Sequence, residues 1–212
     1  MLKSKPDKKL LDLGCCVGQE LRSLAYNGVP SANLYGSDLI DTYLTTSYEL
    51  FNDKDSFKGT LVPADAFSST IWEKEWKGWE GSFDVVHTGL FLHLFSWERQ
   101  VILCQHIIKL LKTSKGQGEN DGVVFLGEML GLEGGGEKET GIKGSGGVQH
   151  VVFLHDVDSM RKLWDEAAEK TGTAGQWKVD GKLNIGGKYA MAASSFFQGE
   201  GVGWFVFTIE RV

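Results

Sequence analysis

Cysteine is scarce and uneven in number: three residues in 212, two of them adjacent as Cys15-Cys16. Such a set cannot form a disulfide framework and points to a reducing, cytoplasmic setting. No apolar run approaches the length of a bilayer span, and Met1 to Lys9 lacks the apolar core of a secretory signal. A basic excess is missing too. The net charge of −6 and pI near 5.4 argue against a nucleic-acid binder. Neither His-Glu-x-x-His nor paired Cys-x-x-Cys occurs, so no metal is expected. The partner expected is therefore a small molecule, with neither nucleic acid nor membrane; a homodimer stays open. At 42% hydrophobic and 24% charged residues, one globular domain over 1–212 is expected.

The most informative stretch is Lys9-Leu10-Leu11-Asp12-Leu13-Gly14-Cys15-Cys16-Val17-Gly18-Gln19-Glu20. An apolar run carrying one acid has the composition of a buried parallel strand. Gly14 and Gly18 then bracket a tight loop. Gln19 to Asn27 reads as a helix with Leu21, Leu24 and Ala25 inward. Strand, glycine loop and helix build a nucleotide-sized crevice at the carboxyl edge of an α/β sheet. The loop has no third glycine for a dinucleotide fingerprint and no lysine for a Walker loop. Cys15-Cys16 is expected to supply small side chains that fill a crowded turn.

Further strands are expected over Asn33–Asp38, Thr60–Asp65, Phe83–Thr88 and Gly122–Met129. They alternate with helices over 41–51 and, after a Ser96 cap, from Trp97 to Leu111. Trp72, Trp76 and Trp79 follow helical spacing within 68–79. The glycine-rich stretch 131–147 predicts a flexible loop or lid, with a simple linker as the competing reading. A helix over 156–170 and alternating strands over 177–185 and 204–210 complete the chain. Lys3, Lys5, Lys8 and Lys9 form a solvated lead-in.

Ligands of open α/β sheets lie across the carboxyl ends of the strands. That rule selects Gly14 to Gly18, Asp38-Leu39, Asp65-Ala66-Phe67 and His87 to His93. Asp38 lies 24 positions after Gly14, where a carboxylate accepts hydrogen bonds from ribose hydroxyls.

The Asp12-x-Gly14-x-x-x-Gly18 loop resembles motif I of the class I S-adenosylmethionine (SAM)-dependent methyltransferases, with Cys16 where the middle glycine of that motif stands. The closer resemblance is to fungal secondary-metabolite O-methyltransferases, including those of meroterpenoid pathways. It rests on Leu11–Cys16 with Gly18-Gln19, Tyr35–Leu39, and Phe83–His87 with Phe91–Trp97, then His155-Asp156, Ser159 and Trp164. The resemblance implies a Rossmann-like seven-stranded α/β sheet and SAM as cofactor. It implies methyl transfer to a carboxylate or hydroxyl oxygen of a small natural product. By the same resemblance Asp12, Gly14, Cys15, Cys16 and Gly18 face the methionine end. Asp38 and Leu39 take the ribose, and Asp65, Ala66 and Phe67 the adenine. His87 closes the cofactor site, and His93 or His87 orients or deprotonates a substrate oxygen. Such enzymes carry helical sequence before the first strand. Only Met1 to Lys8 precede it here, so that amino-terminal lid is expected to be absent. The competing readings are a non-catalytic SAM-binding or scaffold protein, or a nicotinamide oxidoreductase with a degenerate loop.

Overall fold

The computed structural model describes residues 2–3, 5, 7–114, 122–143, 149–186 and 200–212. The chain divides into two compact units: Met1–Gly89 with Ile107–Phe125 and Arg211, and Leu90–His106 with Leu126–Glu210 and Val212.

The first unit contains β1 (Leu10–Leu13), α1 (Gln19–Tyr26), β2 (Leu34–Asp38), α2 (Asp41–Phe51), β3 (Thr60–Pro63) and β4 (Val85–Gly89). β1 pairs in parallel with β2 and β4, and β2 pairs in parallel with β3. All four β1 residues are buried, Asp12 included. That is what an apolar run becomes when a parallel sheet is covered on both faces. Gly36 on β2 is required by space: a Cβ there would lie 2.8 Å from Cys15 Sγ and 2.9 Å from Leu21.

At the entry to β4, Asp84 is wholly buried. It accepts from Lys8 Nζ (2.9 Å), Lys112 Nζ (2.8 Å) and the Lys9 amide (3.0 Å). Burial alone would raise its carboxyl, but these bonds outweigh it and hold the group below the usual carboxylate range. Lys8 is therefore not part of a solvated lead-in. It is a buried ion-pair partner, recruited by an acid that could not be left unpaired.

The tryptophan-rich stretch 68–79 is a series of turns rather than a helix. Trp76 and Trp79 stack, Tyr35 and Phe83 meet Trp79 edge-on, and the Trp76 indole N–H donates to Ser37 Oγ at 3.2 Å. Ring packing and a buried indole bond prevail there over helical spacing.

The second unit holds most of α3 (Trp97–Leu110) and β5 (Val124–Leu132). β6 (Gly136–Lys143), β7 (Gln149–Leu154), α4 (Val157–Lys170), β8 (Trp177–Asn184) and β9 (Val202–Arg211) follow. The strand order is β3-β2-β1-β4-β5-β9-β8 in a seven-stranded sheet, with β6 and β7 forming a separate pair. The glycine-rich stretch is thus largely strand. Gly131 and Leu132 end β5, and Gly136 onward pairs antiparallel with β7, with an irregularity between Glu139 and Lys143. Positive φ at Gly134 and Gly135 makes the turn. Residues 144–147 lie outside the described residues.

Ser96, expected to cap α3, gives its hydroxyl to Glu98. α4 opens with a reciprocal cap between Asp156 and Ser159 and buries Met160, Leu163, Trp164 and Ala167. Beside it His155 is fully buried, 2.9 Å from Gln100 Oε1 through Nε2 and 3.1 Å from Ser159 Oγ through Nδ1. Gln100 Nε2 donates to the Phe95 and Phe153 carbonyls, so Gln100 Oε1 accepts and His155 Nε2 carries the proton. Burial lowers the His155 pKa to about 3 although Asp156 opposes it, so the ring is neutral at pH 7. Among the described residues, no helix is long and apolar enough to cross a membrane.

Candidate cofactor site

β1, β2, β3 and β4 lie side by side, so the residues after their carboxyl ends meet at one edge of the first unit. The parallel register sets Asp12 opposite His87, and Asp12 Oδ1 is 2.8 Å from His87 Nδ1. Asp12 is buried and His87 half-buried. Gly14, at φ 78°, turns the chain out of β1, and the amides of Gly14 and Cys15 both donate to the Ser37 carbonyl at 2.8 and 3.2 Å. The Gly18 amide closes the loop on the Cys15 carbonyl at 2.7 Å. Gly18 itself sits at φ 66° and starts α1.

The two cysteines part ways. Cys15 is buried, and burial together with the charges of Asp12 and Asp38 pushes its thiol far up, leaving an inert filler. Cys16 is exposed at φ 50°, so the expectation that both fill the turn holds for Cys15 only. The Cys16 amide donates to Asp38 Oδ2 at 2.8 Å, and the Ile40 amide donates to Asp38 Oδ1 at 3.0 Å. Asp38 thereby joins the glycine loop to the segment entering α2. One bond on each oxygen leaves both able to accept more.

Ala64 N–H donates to the Asp38 carbonyl at 2.8 Å, which brings the residues after β3 alongside. Asp65 is exposed and accepts from the Phe67 amide at 2.9 Å, while Ala66 is buried. Asp12, Gly14 to Gly18, Asp38, Leu39, Asp65 to Phe67 and His87 therefore gather at one strand edge. His93 belongs to the second unit, in a 3-10 turn spanning Leu92–Leu94. It is buried, its Nδ1 has no hydrogen-bond partner among the described residues, and burial lowers its pKa to about 4.

No protein-family model matches the chain. Curated relatives do. The chain is 43% identical over 172 residues to the O-methyltransferase phiE of Fungal sp. (strain ATCC 74256), covering 81% of this chain and 52% of that protein. It is 36% identical over 180 residues to the O-methyltransferase atr3 of Stereocaulon alpinum, covering 85% and 48%. It is 33% identical over 173 residues to the methyltransferase ausD of Penicillium brasilianum, covering 80% and 57%. Among solved structures, a SAM-dependent methyltransferase from Methanosarcina mazei superposes with a TM-score of 0.63 at 14% identity, covering 98% of this chain and 94% of that one. The chain has the class I methyltransferase fold and is similar in sequence to these fungal methyltransferases. It spans about half the length of the curated relatives it matches.

Within this methyltransferase fold, the residue that sequence reasoning missed is Arg22. It sits on α1 outside the set read as inward, yet it is 8% exposed and lies against the glycine loop. The available signal was weak: Arg22 stands four positions after Gly18, one helical turn from the start of α1.

Proposed function

We propose that residues 1–212 act as one SAM-dependent methyltransferase domain that transfers a methyl group to a carboxylate or hydroxyl oxygen of a small natural product. The observation that carries this reading is the convergence of Asp12, Asp38 and Asp65 with the Gly14–Gly18 loop at the ends of three adjacent parallel strands. The donor set suits the cofactor. An acid-lined edge attracts a ligand cationic at sulfur and ammonium, and would repel the phosphates of a nicotinamide dinucleotide.

When bound, SAM supplies a methyl group made electrophilic by its sulfonium. Asp12, oriented by His87, faces the methionine end. Gly14 and Gly18 keep the loop free of side chains where the ligand approaches. Asp38, held by two amides, takes the ribose hydroxyls, with Leu39 beside it. Asp65, Ala66 and Phe67 take the adenine. Cys15 packs beneath the loop, and Cys16 presents its amide to Asp38.

The chain's remaining task is to align a substrate oxygen and exclude water. His93, with its pKa near 4, is neutral at pH 7 and a weak base. It suits orientation of an already ionised carboxylate better than deprotonation of an alcohol.

Isothermal titration with SAM and separately with NADH tests the reading. Micromolar SAM binding is expected for the wild type, with at least a tenfold loss in Asp38→Ala and little change in His93→Ala. Binding of NADH alone would overturn the assignment. So would equal SAM affinity in wild type and Asp38→Ala.

A further inference from the structure

Arg22 spends its entire hydrogen-bonding capacity on the wall of the cofactor site. Its Nε donates to Asp53 Oδ2 at 2.8 Å, and Nη2 donates to Asp53 Oδ1 at 3.3 Å and to Ser47 Oγ at 3.1 Å. Nη1 donates to the carbonyls of Val17 at 3.0 Å and Gly18 at 3.4 Å. Five N–H donors thus meet five acceptors. Ser47 gives its own proton to the Leu44 carbonyl at 2.6 Å, leaving its oxygen free to accept from the guanidinium. The rings of Phe57, Phe51 and Tyr48 lie 4.5, 4.7 and 5.3 Å from the guanidinium carbon. That geometry favours a delocalised cation over an ammonium.

The partners belong to two walls. Val17 and Gly18 are the glycine loop. Ser47 lies on α2 and Asp53 follows it, and α2 begins three residues after Asp38. The guanidinium is therefore a brace between the loop and the helix entered from Asp38. Its fit is close, since a Cβ on Gly18 would come within 2.8 Å of Arg22 Nη1. Any side chain at Gly18 would have to displace the guanidinium, and its positive φ favours glycine in any case.

The geometry points to Arg22 as a positioning residue for the cofactor loop: it fixes the spacing between Val17-Gly18 and the α2 segment that follows Asp38. It touches no cofactor itself. A cradle held within fractions of an ångström binds better than a loop that must be ordered by its ligand. The inference rests on the SAM reading above for its ligand, but not for its loop.

Two readouts separate these. The first needs no cofactor: amide hydrogen exchange at Gly18 and Arg22, whose N–H groups bond the Cys15 and Gly18 carbonyls. It is expected to speed up at least tenfold in Arg22→Met and severalfold in Asp53→Asn, while β1 amides keep their rates. The second is SAM titration well below the melting temperature. Affinity is expected to fall at least tenfold in Arg22→Met and to be only partly restored in Arg22→Lys, which keeps the charge without the fork. Leu163→Ala, a core truncation in the second unit, serves as the destabilised control and should keep wild-type affinity. If Arg22→Met does not fold, Asp53→Asn and Ser47→Ala carry both measurements. Unchanged loop exchange in the folded variants would overturn the inference, as would an affinity matching Leu163→Ala. A wild type that ignores SAM, together with faster loop exchange in Arg22→Met or Asp53→Asn, would sink the cofactor assignment and leave the brace standing.

Discussion

Asp12 and His87 oppose each other across the parallel pair β1–β4, Oδ1 to Nδ1 at 2.8 Å, with Asp12 almost fully buried. A buried carboxylate at a strand end needs a partner, and the strand register supplies one. His87→Ala removes it. The expected loss is about 1–3 kcal/mol of stability, because Asp12 is left with an unmet acceptor. Urea unfolding of the purified variant measures it. An unchanged midpoint would mean that His87 contributes nothing to holding Asp12.

The second buried carboxylate, Asp84, holds Lys8 and Lys112 together. Asp84→Asn removes the buried carboxylate with which Lys8, itself 6% exposed, forms an ion pair. The loss expected from breaking a buried pair is about 3–5 kcal/mol. Lys112→Met should cost clearly less, since that side chain is more than a third exposed and its pairing is screened by water. Equal destabilisation by both substitutions would contradict this ranking.

Acid should act through the buried imidazoles. His155 is lowered from 6.5 to about 3 by burial, so between those values the unfolded chain binds a proton that the folded chain refuses. Stability is then fully present above pH 6.5 and is lost as pH falls towards 3. His93, lowered to about 4, acts in the same direction. Between pH 7 and pH 5 the expected loss from His155 is on the order of 1–2 kcal/mol. Unfolding curves of wild type and His155→Gln at both pH values test this. A wild-type slope no steeper than that of His155→Gln would exclude His155 as its source.

The cysteines differ in exposure, and alkylation should read the difference. Cys16 is exposed, whereas Cys15 and Cys104 are buried with thiols pushed far up by burial. Iodoacetamide at pH 8 is expected to modify Cys16 alone in the native protein, and SAM should slow the reaction. Mass spectrometry of the digest identifies the site. Modification of Cys104 at a comparable rate would mean that the α3 core opens.

Much of the fold was legible because its signals are local. Leu10–Leu13 is apolar at every residue but Asp12, and the bracketing Gly14 and Gly18 mark the loop. Asp38 and Asp65 end or follow their strands, as strand-end acids were expected to. The 41–51 helix, the 156–170 helix and the closing strands were equally plain. Other local readings failed where tertiary contacts prevailed, among them those of two whole stretches. The 68–79 stretch had helical tryptophan spacing but packs its rings in turns. The 131–147 stretch had enough glycine for a loop, yet much of it extends and pairs with β7.

By itself the sequence determined the strands and helices outside 68–79 and 131–154, the glycine loop and the acids placed at its side, since each depends on backbone preference and a few neighbouring residues. Only the tertiary structure decided which charged side chains go inside. Lys8 meets Asp84 across 76 positions, His155 meets Gln100 across 55, and Arg22 meets Asp53 across 31. A charged or polar group leaves water only when its partner arrives. No local pattern around Lys8 or Arg22 records a partner that distant.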